Sequence, residues 1–454
     1  MNRFKRVILI TVDCLRGDHV GYISGCNLTP NIDRVAKDSV VFTRAFSNGP
    51  GTNQSFPAIL TSTYFLIHGG LRLNPYCTTI AEVLESKGFK TVAFHSNPFL
   101  SKVLGWNRGF NEFYDFMDVI KSPSAFVTKQ QGKGLTGRVA RFAGNVLGAG
   151  RSHRVQRLLK KVYYKFSSFE CPYLEGRELN KHVMDWLERN SDEKFFLWMH
   201  YMDPHDPYIP PEDYLLDFSS REEAFDYNLS IDTDNLSEEN IVTLKRLYEG
   251  EVRYTDACIG DFLYYLEEKK LLDNSLIIIT GDHGHAFMEH GKFAHAYDIL
   301  YNEVIHVPLI MYGLDKVEKF DVKVELLDVS PTMLALMGIR KPPTFLGNSL
   351  LSVMDGARIK KPIFSESAVP DLINLKYNIE KKAFSCIFDS YKIIVNEMRN
   401  SIELYDIDGD FEENNNVVEC EENTVAQLKK FIQTHAIKEK IFKMKVHSLY
   451  KKTL

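Results

Sequence analysis

Several places in this 454-residue chain put metal-ligating or proton-transferring side chains directly after a short apolar run. Residues 7–12 lead into Asp13, and residues 195–199 lead into His200, Asp203, His205 and Asp206. Residues 275–280 lead into Gly281, Asp282 and His283, with His290, Lys292 and His295 close behind. A fourth run, 91–94, is followed by His95, Ser96 and Asn97. Two carboxylates and an imidazole suit a divalent cation with an open coordination position. Asp282 and His283 are adjacent, which fits a loop, because neighbouring side chains in a strand point apart. Asp13 alone admits two readings, a helix cap or a carboxylate at a ligand-binding sheet edge. The other clusters favour the second, since one parallel sheet would bring all these strand ends together. The stretch 47–62 adds hydroxyls, Thr52 and Ser55 among them, at a loop-to-helix junction where free backbone N–H groups favour an anion.

The elements that would hold these groups are legible as patterns. Residues 7–12 and 275–280 are continuous β-branched and aliphatic runs, as expected of strands buried on both faces. Further strands are expected at 39–46, 91–94, 194–199 and 307–311. Thr29 followed by Pro30 marks a helix start, with Thr29 as the cap. A long helix is expected over about 238–270, and a shorter one begins near 328. The acidic stretch 211–237 reads as a surface excursion. Beyond residue 355 the pattern changes. Alternating runs at 384–388 and 392–395 suggest an antiparallel hairpin, followed by a helix at about 423–435. The expected architecture is α/β: a mostly parallel sheet sandwiched by helices over 1–355, and a small C-terminal α+β subdomain over 356–454.

Composition narrows the functional class. A net charge of −5 gives no reason to expect nucleic-acid binding by the whole chain. Seven scattered cysteines without a CxxC pair or a His/Cys cluster argue against a disulfide framework or a cysteine-based structural zinc site. No stretch has the roughly 18–20 apolar residues of a membrane span, and the N-terminal run leads into charged residues rather than a cleavage site. A cytoplasmic protein is expected. One segment stands apart: 121–169 holds eleven Lys or Arg and no Asp or Glu, interleaved with apolar residues. It reads either as a solvated amphipathic helix or as a peripheral contact with an anionic membrane or polyanionic substrate. The lysine-rich tail from 438 to 452 would add to it.

The motif Thr11-Val12-Asp13-Cys14-Leu15-Arg16-Gly17-Asp18-His19, then Thr29-Pro30-Asn31-Ile32-Asp33, then 52–61, resembles the sulfatase family of the alkaline phosphatase superfamily. The resemblance extends over nearly the whole chain, through 251–256, 328–332 and 403–406. It implies one divalent metal ion held by Asp13, Asp282, His283 and the oxygen of the nucleophile, with Ca²⁺, Mn²⁺, Mg²⁺ and Zn²⁺ all compatible. In register with Leu60 and Thr61, the nucleophile position is Thr52. The resemblance also implies His205 and His295 as catalytic groups facing the transferred anion, and Asn97, His200 and Lys292 with the substrate.

Departures from the family pattern are informative. The formylglycine signature C/S-x-P-x-R is absent: its Pro and Arg positions hold Gln54 and Phe56, and Thr52 cannot mature to formylglycine. A shifted register would make Ser55 the nucleophile, but Ile59 then stands where Arg belongs. Cys14 replaces a second aspartate, and His95-Ser96-Asn97-Pro98 replaces a lysine-bearing segment. The expected activity is metal-dependent hydrolysis of sulfate or phosphate esters through Thr52, on an anionic ester substrate for which glycan and lipid linkage are both open. A threonine ester cannot expel sulfate by breaking its own C–O bond, which tilts the chemistry toward phosphoryl groups. A phosphoglycerol- or phosphoethanolamine-type transferase and a catalytically inactive binding module are the alternatives.

Overall fold

A computed structural model describes residues 4–117, 172–358, 360–371 and 375–451. The basic segment 121–169 lies outside the described residues.

Among the described residues eight strands form the main sheet: β1 (Arg6–Val12), β2 (Ser39–Phe46), β3 (Lys90–His95), β4 (Glu112–Tyr114), β5 (Phe195–Tyr201), β6 (Ser275–Gly281), β9 (His306–Tyr312) and β10 (Glu318–Glu325). A small hairpin, β7 (Ala286–Phe287) with β8 (Phe293–Ala294), sits between β6 and β9 in sequence. The sheet order is β10-β2-β9-β6-β1-β5-β3-β4. Of these eight described strands, β9 alone runs antiparallel to its neighbours. The remaining pairings are parallel.

Alternation along the strands divides the core in two. Val7 and Leu9 of β1, Leu276 and Ile278 of β6, and Phe196 and Trp198 of β5 face one layer. Ile8, Ile10, Ile277, Ile279, Leu197 and Met199 face the other. Strands covered on both sides have no polar face, which is why their sequences read as unbroken apolar runs. The first layer is closed by α2 (Thr52–Thr61) and α5 (Val329–Leu336), through Phe56, Ile59, Val329 and Met333. The second is closed by α1 (Pro30–Ala36), α3 (Gly176–Asn190) and the 31-residue α4 (Glu238–Glu268).

The expected cap of α1 is corrected. Thr29 makes no side-chain cap bond; its hydroxyl accepts from Gly21 N at 2.9 Å. The N-terminal amides of Asn31 and Ile32 are instead satisfied by Asp256 of α4, at 3.0 and 2.8 Å. A distant carboxylate thus replaces the local hydroxyl, and fastens α1 to the long helix. The acidic stretch 211–237 also carries a helix, Arg221–Ser230, whose Ala224 and Phe225 are buried.

After residue 362 the chain forms a four-stranded antiparallel sheet, β11 (Ile363–Asp371), β12 (Lys376–Phe388), β13 (Tyr391–Asn396) and β14 (Ser401–Asp406). The final helix α6 (Glu422–Lys451) packs on it. Among the described residues no helix is long and apolar enough to cross a membrane.

Parallel register fixes the site. Val12 of β1 pairs with Tyr201 and with Gly281, and His95 pairs with His200. The loops that follow these strands therefore leave the sheet at one edge, where open α/β sheets bind ligands.

Candidate active site

Asp13 follows β1 and is fully buried. Its Oδ2 accepts from Asn97 Nδ2 at 2.9 Å and from the Thr52 hydroxyl at 3.2 Å. Among the described residues its Oδ1 has no hydrogen-bond partner. In the loop after β6, Asp282 Oδ1 accepts from the backbone N–H of His283 at 2.8 Å and of Cys14 at 3.3 Å. Its Oδ2 is likewise unpartnered. His283 places Nδ1 2.9 Å from the carbonyl of Gly284, which requires the proton on Nδ1 and leaves a lone pair on Nε2. That Nε2 is unpartnered too, 3.5 Å from Asp13 Oδ1 and 3.6 Å from Asp282 Oδ2. Three buried electron-pair donors facing one another repel unless something positive lies between them. The donor set of two carboxylates and a neutral imidazole, each held from behind by a hydrogen bond, fits a divalent cation.

The titration of the pair expresses the same conflict. Burial alone would raise the Asp13 carboxyl, but the neighbouring His205, His200 and His283 outweigh it and hold it well below the usual range. Burial and the charge of Asp13 push Asp282 well above that range. Two adjacent carboxylates cannot both ionise in a dry site without a cation.

Behind Asp13 stands His200, whose Nε2 faces Asp13 Oδ2 at 3.3 Å. Its Nδ1 lies 2.9 Å from the hydroxyl of Thr11, which accepts from Trp198 Nε1 at 3.0 Å. Phe56 packs edge-on against the His200 ring, with centroids 5.1 Å apart. The position where the formylglycine signature has arginine thus fills the core rather than the site. Cys14, next to Asp13, takes a left-handed backbone with φ 58°, which turns its amide toward Asp282. A non-glycine residue there is uncommon outside functional turns.

Thr52 is the first residue of α2, preceded by Gly51 in extended conformation without a side-chain cap. The first intrahelical amides to find partners are those of Gln54 and Ser55, both bonded to Gly51 O. The Thr52 hydroxyl therefore sits at the positive end of a helix, beside the three unpartnered donors.

On the open side, His295 follows β8 and lies 4.7 Å, ring to ring, from His283 and 5.1 Å from His205. Burial, together with His283, His205 and His285, holds His295 well below the ordinary imidazole range, so it offers a neutral N–H or a lone pair. His285 was not distinguishable by sequence from any histidine in a loop. Its Nε2 lies 2.7 Å from the Tyr208 hydroxyl and its Nδ1 3.5 Å from His295 Nδ1. Burial pushes it down to about 3, with Asp206 opposing. Arg16 holds this loop in place through the His285 carbonyl at 2.9 Å and Glu289.

Asp13, Thr52, Asn97, Asp282, His283, His205 and His295, chosen from sequence, converge here. Two expectations change. His200 spends both ring nitrogens on Thr11 and Asp13 and is buried, so it braces the site and does not face a substrate. Asn97 likewise divides its amide between Asp13 and Thr52, at 2.9 and 3.3 Å. Lys292 lies at the β7–β8 turn, and among the described residues its ammonium makes none of the polar contacts around Asp13. Ser55, the alternative nucleophile, donates to the Thr52 carbonyl at 3.3 Å and points along its own helix.

The chain matches the family profile Sulfatase over residues 5–339 and N-sulphoglucosamine sulphohydrolase, C-terminal, over 288–440. It is 25% identical to an Arylsulfatase of Clostridium perfringens over 393 residues, covering 77% of this chain and 78% of that protein. Against Arylsulfatase K of Mus musculus, identity is 32% over 145 residues, which is 31% of this chain and spans only 26% of that relative's length. Its fold is similar to that of a phosphonate monoester hydrolase from Silicibacter pomeroyi, with TM-score 0.70 and 18% identity over 96% of this chain and 95% of the other. It is also similar to that of a protein solved with its substrate D-glucosamine-2-N,6-O-disulfate, with TM-score 0.69 and 17% identity over 96% and 98%.

Proposed function

The chain belongs to the sulfatase family, within the alkaline phosphatase superfamily of ester hydrolases, and from that premise we propose a metal-dependent hydrolase of sulfate or phosphate esters with Thr52 as nucleophile. One observation carries this reading: the Thr52 hydroxyl, at a helix N-terminus, adjoins the three unpartnered atoms of Asp13, Asp282 and His283.

A divalent cation, when bound by those residues, supplies Lewis acidity and lowers the pKa of a coordinating hydroxyl. The Thr52 proton points at Asp13 Oδ2, the acceptor poised to take it. Thr52 Oγ then forms a bond to phosphorus or sulfur as the opposite ester bond breaks. The α2 N-terminus and the imidazoles of His295 and His205 are the groups available to the charge that grows on the non-bridging and leaving oxygens, His205 through Nε2, because its Nδ1 lies 2.6 Å from the Asp206 carbonyl. Water cleaves the Thr52 ester in the second step and restores the hydroxyl. A threonine ester must be opened at phosphorus or sulfur, which favours phosphoryl substrates over sulfuryl ones. The anionic sugar substrate of one structural neighbour and the phosphonate chemistry of another support an anionic ester as substrate class.

The test is to strip the full chain of metal and reload it with Mn²⁺, Ca²⁺, Mg²⁺ or Zn²⁺. Turnover is then followed on nitrophenyl sulfate, phosphate, phosphodiester and phosphonate esters. Turnover of at least one ester, and an intact-mass adduct on Thr52 after acid quench, are expected. Absence of turnover on every ester with every metal would overturn the reading.

A further inference from the structure

Glu366 of β11 and His435 and Glu439 of α6 meet on the far side of the C-terminal sheet, sharing no residue with the site above. All three are nine-tenths or more buried: Glu366 is 0% exposed, His435 7% and Glu439 8%. His435 Nε2 lies 2.5 Å from Glu366 Oε1 and 3.9 Å from Glu439 Oε2. One donor atom from each residue falls within 4.8 Å of the others. Among the described residues the second oxygen of Glu439 has no hydrogen-bond partner. Both glutamates face His435 and each other, with Lys382 acting on Glu366 and Lys443 on Glu439 from farther out.

We propose that Glu366, His435 and Glu439 form a structural site for a divalent transition metal of the zinc class. The ligand types suit it: two carboxylates and one imidazole neutralise a +2 ion and leave a position for water. His435 and Glu439 are four apart on one helix, a spacing that stacks them on one face. Ligands about 2.0–2.2 Å from a tetrahedral ion stand about 3.3 Å apart, so small rotamer adjustments suffice. The frame is already fixed. Phe364 stacks on the His435 ring at 4.0 Å, Tyr64 meets it edge-on at 4.4 Å, and Leu66 N–H donates to Glu366 Oε2 at 3.3 Å. A cavity of about 300 Å³, lined by Asn348, Phe431, Lys438 and Phe442, opens onto the cluster and gives an ion a route in. Burial also raises both glutamates, Glu366 to about 7. A bound ion would clasp the last helix to β11 and to the turn that follows α2.

Metal content and thermal stability of the stripped full chain, titrated with Zn²⁺, test this without reference to activity. Wild type is expected to take up one more equivalent than Glu439→Gln or His435→Gln, and to gain melting temperature that the variants do not gain. Asp282→Asn should keep the extra equivalent, so failure of the catalytic reading leaves this result distinct. Circular dichroism establishes that each variant is folded. Equal uptake and equal stabilisation in wild type and both folded variants would overturn the site and leave a proton shared between the two glutamates.

Discussion

The hydroxyl of Thr52 donates to Asp13 Oδ2 at 3.2 Å, across 39 residues of sequence and between a helix start and a strand end. It gives the proton of this hydroxyl an acceptor inside the site. Thr52→Ala is therefore expected to lower kcat/KM by at least about 10³-fold. Ser55→Ala should stay within a few-fold of wild type, because Ser55 Oγ is bonded back to its own helix. Steady-state rates on the best nitrophenyl ester check both, and comparable activity in Thr52→Ala would remove it as nucleophile.

Asn97 separates two roles by which kinetic constant moves. Its Nδ2 bridges Asp13 and Thr52, so both of its donor hydrogens are committed inside the site, and its Oδ1 accepts from Phe99 N at 2.9 Å. Asn97→Ala should weaken metal affinity or activity by about 10–100-fold, as loss of a bond behind a metal ligand does, with KM little changed. Metal titrations of activity give the answer. A raised KM at unchanged metal affinity would instead make Asn97 a substrate-binding residue.

Phe56 stands where the formylglycine signature has arginine, yet it is fully buried between His200, Trp198 and Trp106. Restoring the family residue should not restore the family chemistry. Phe56→Arg buries an unpaired charge and is expected to unfold the chain or exclude metal. Phe56→Ala should cost about 3–5 kcal/mol of stability. Urea unfolding at fixed metal concentration measures both. A stable Phe56→Arg with sulfatase activity would show that the guanidinium reaches the site.

How much of this was readable from the chain depends on how local each signal is. Unbroken apolar runs ending in Asp13, His200 and Asp282 advertise strands buried on both faces with polar ends, and the parallel register follows from helices between them. The direction of β9 was not readable, because an apolar run looks the same in either sense. Nor were the partners behind the site. Thr11 meets His200 across 189 residues, and Tyr208 meets His285 across 77. Glu366 and His435 are 69 apart, with nothing in either neighbourhood to announce the other. Such contacts are consequences of packing, so they appear only once the sheet edge and the last helix are assembled.

Asp203 supplies a pH dependence that lies apart from the proposed metal ligands. Burial pushes its carboxyl up to about 7; the Gly176 N–H at 2.9 Å and Arg221 pull it down, and Glu175 adds to the rise. Among the described residues its second oxygen has no hydrogen-bond partner. An unfolded aspartate titrates near 4. Below that pH both states hold the proton and the fold has its full stability from this group. Between about 4 and 7 the unfolded chain releases the proton while the fold keeps it, so stability falls as pH rises, and the loss is complete above the folded value. The full span is worth on the order of 4 kcal/mol. Between pH 5 and pH 8 wild type should therefore lose on the order of 3 kcal/mol more than Asp203→Asn, since an amide does not ionise. Other titrating groups are shared by both proteins and cancel in the difference. Denaturant unfolding of the two proteins across this range decides it, and parallel stability curves would mean that Asp203 is ionised in the fold throughout. The consequence reaches the site, because Asp203 anchors the N-terminus of α3 in the loop whose Met202 carbonyl accepts from His205 N–H at 2.9 Å. Ionisation that loosens this loop would displace His205 from the open face it shares with His295.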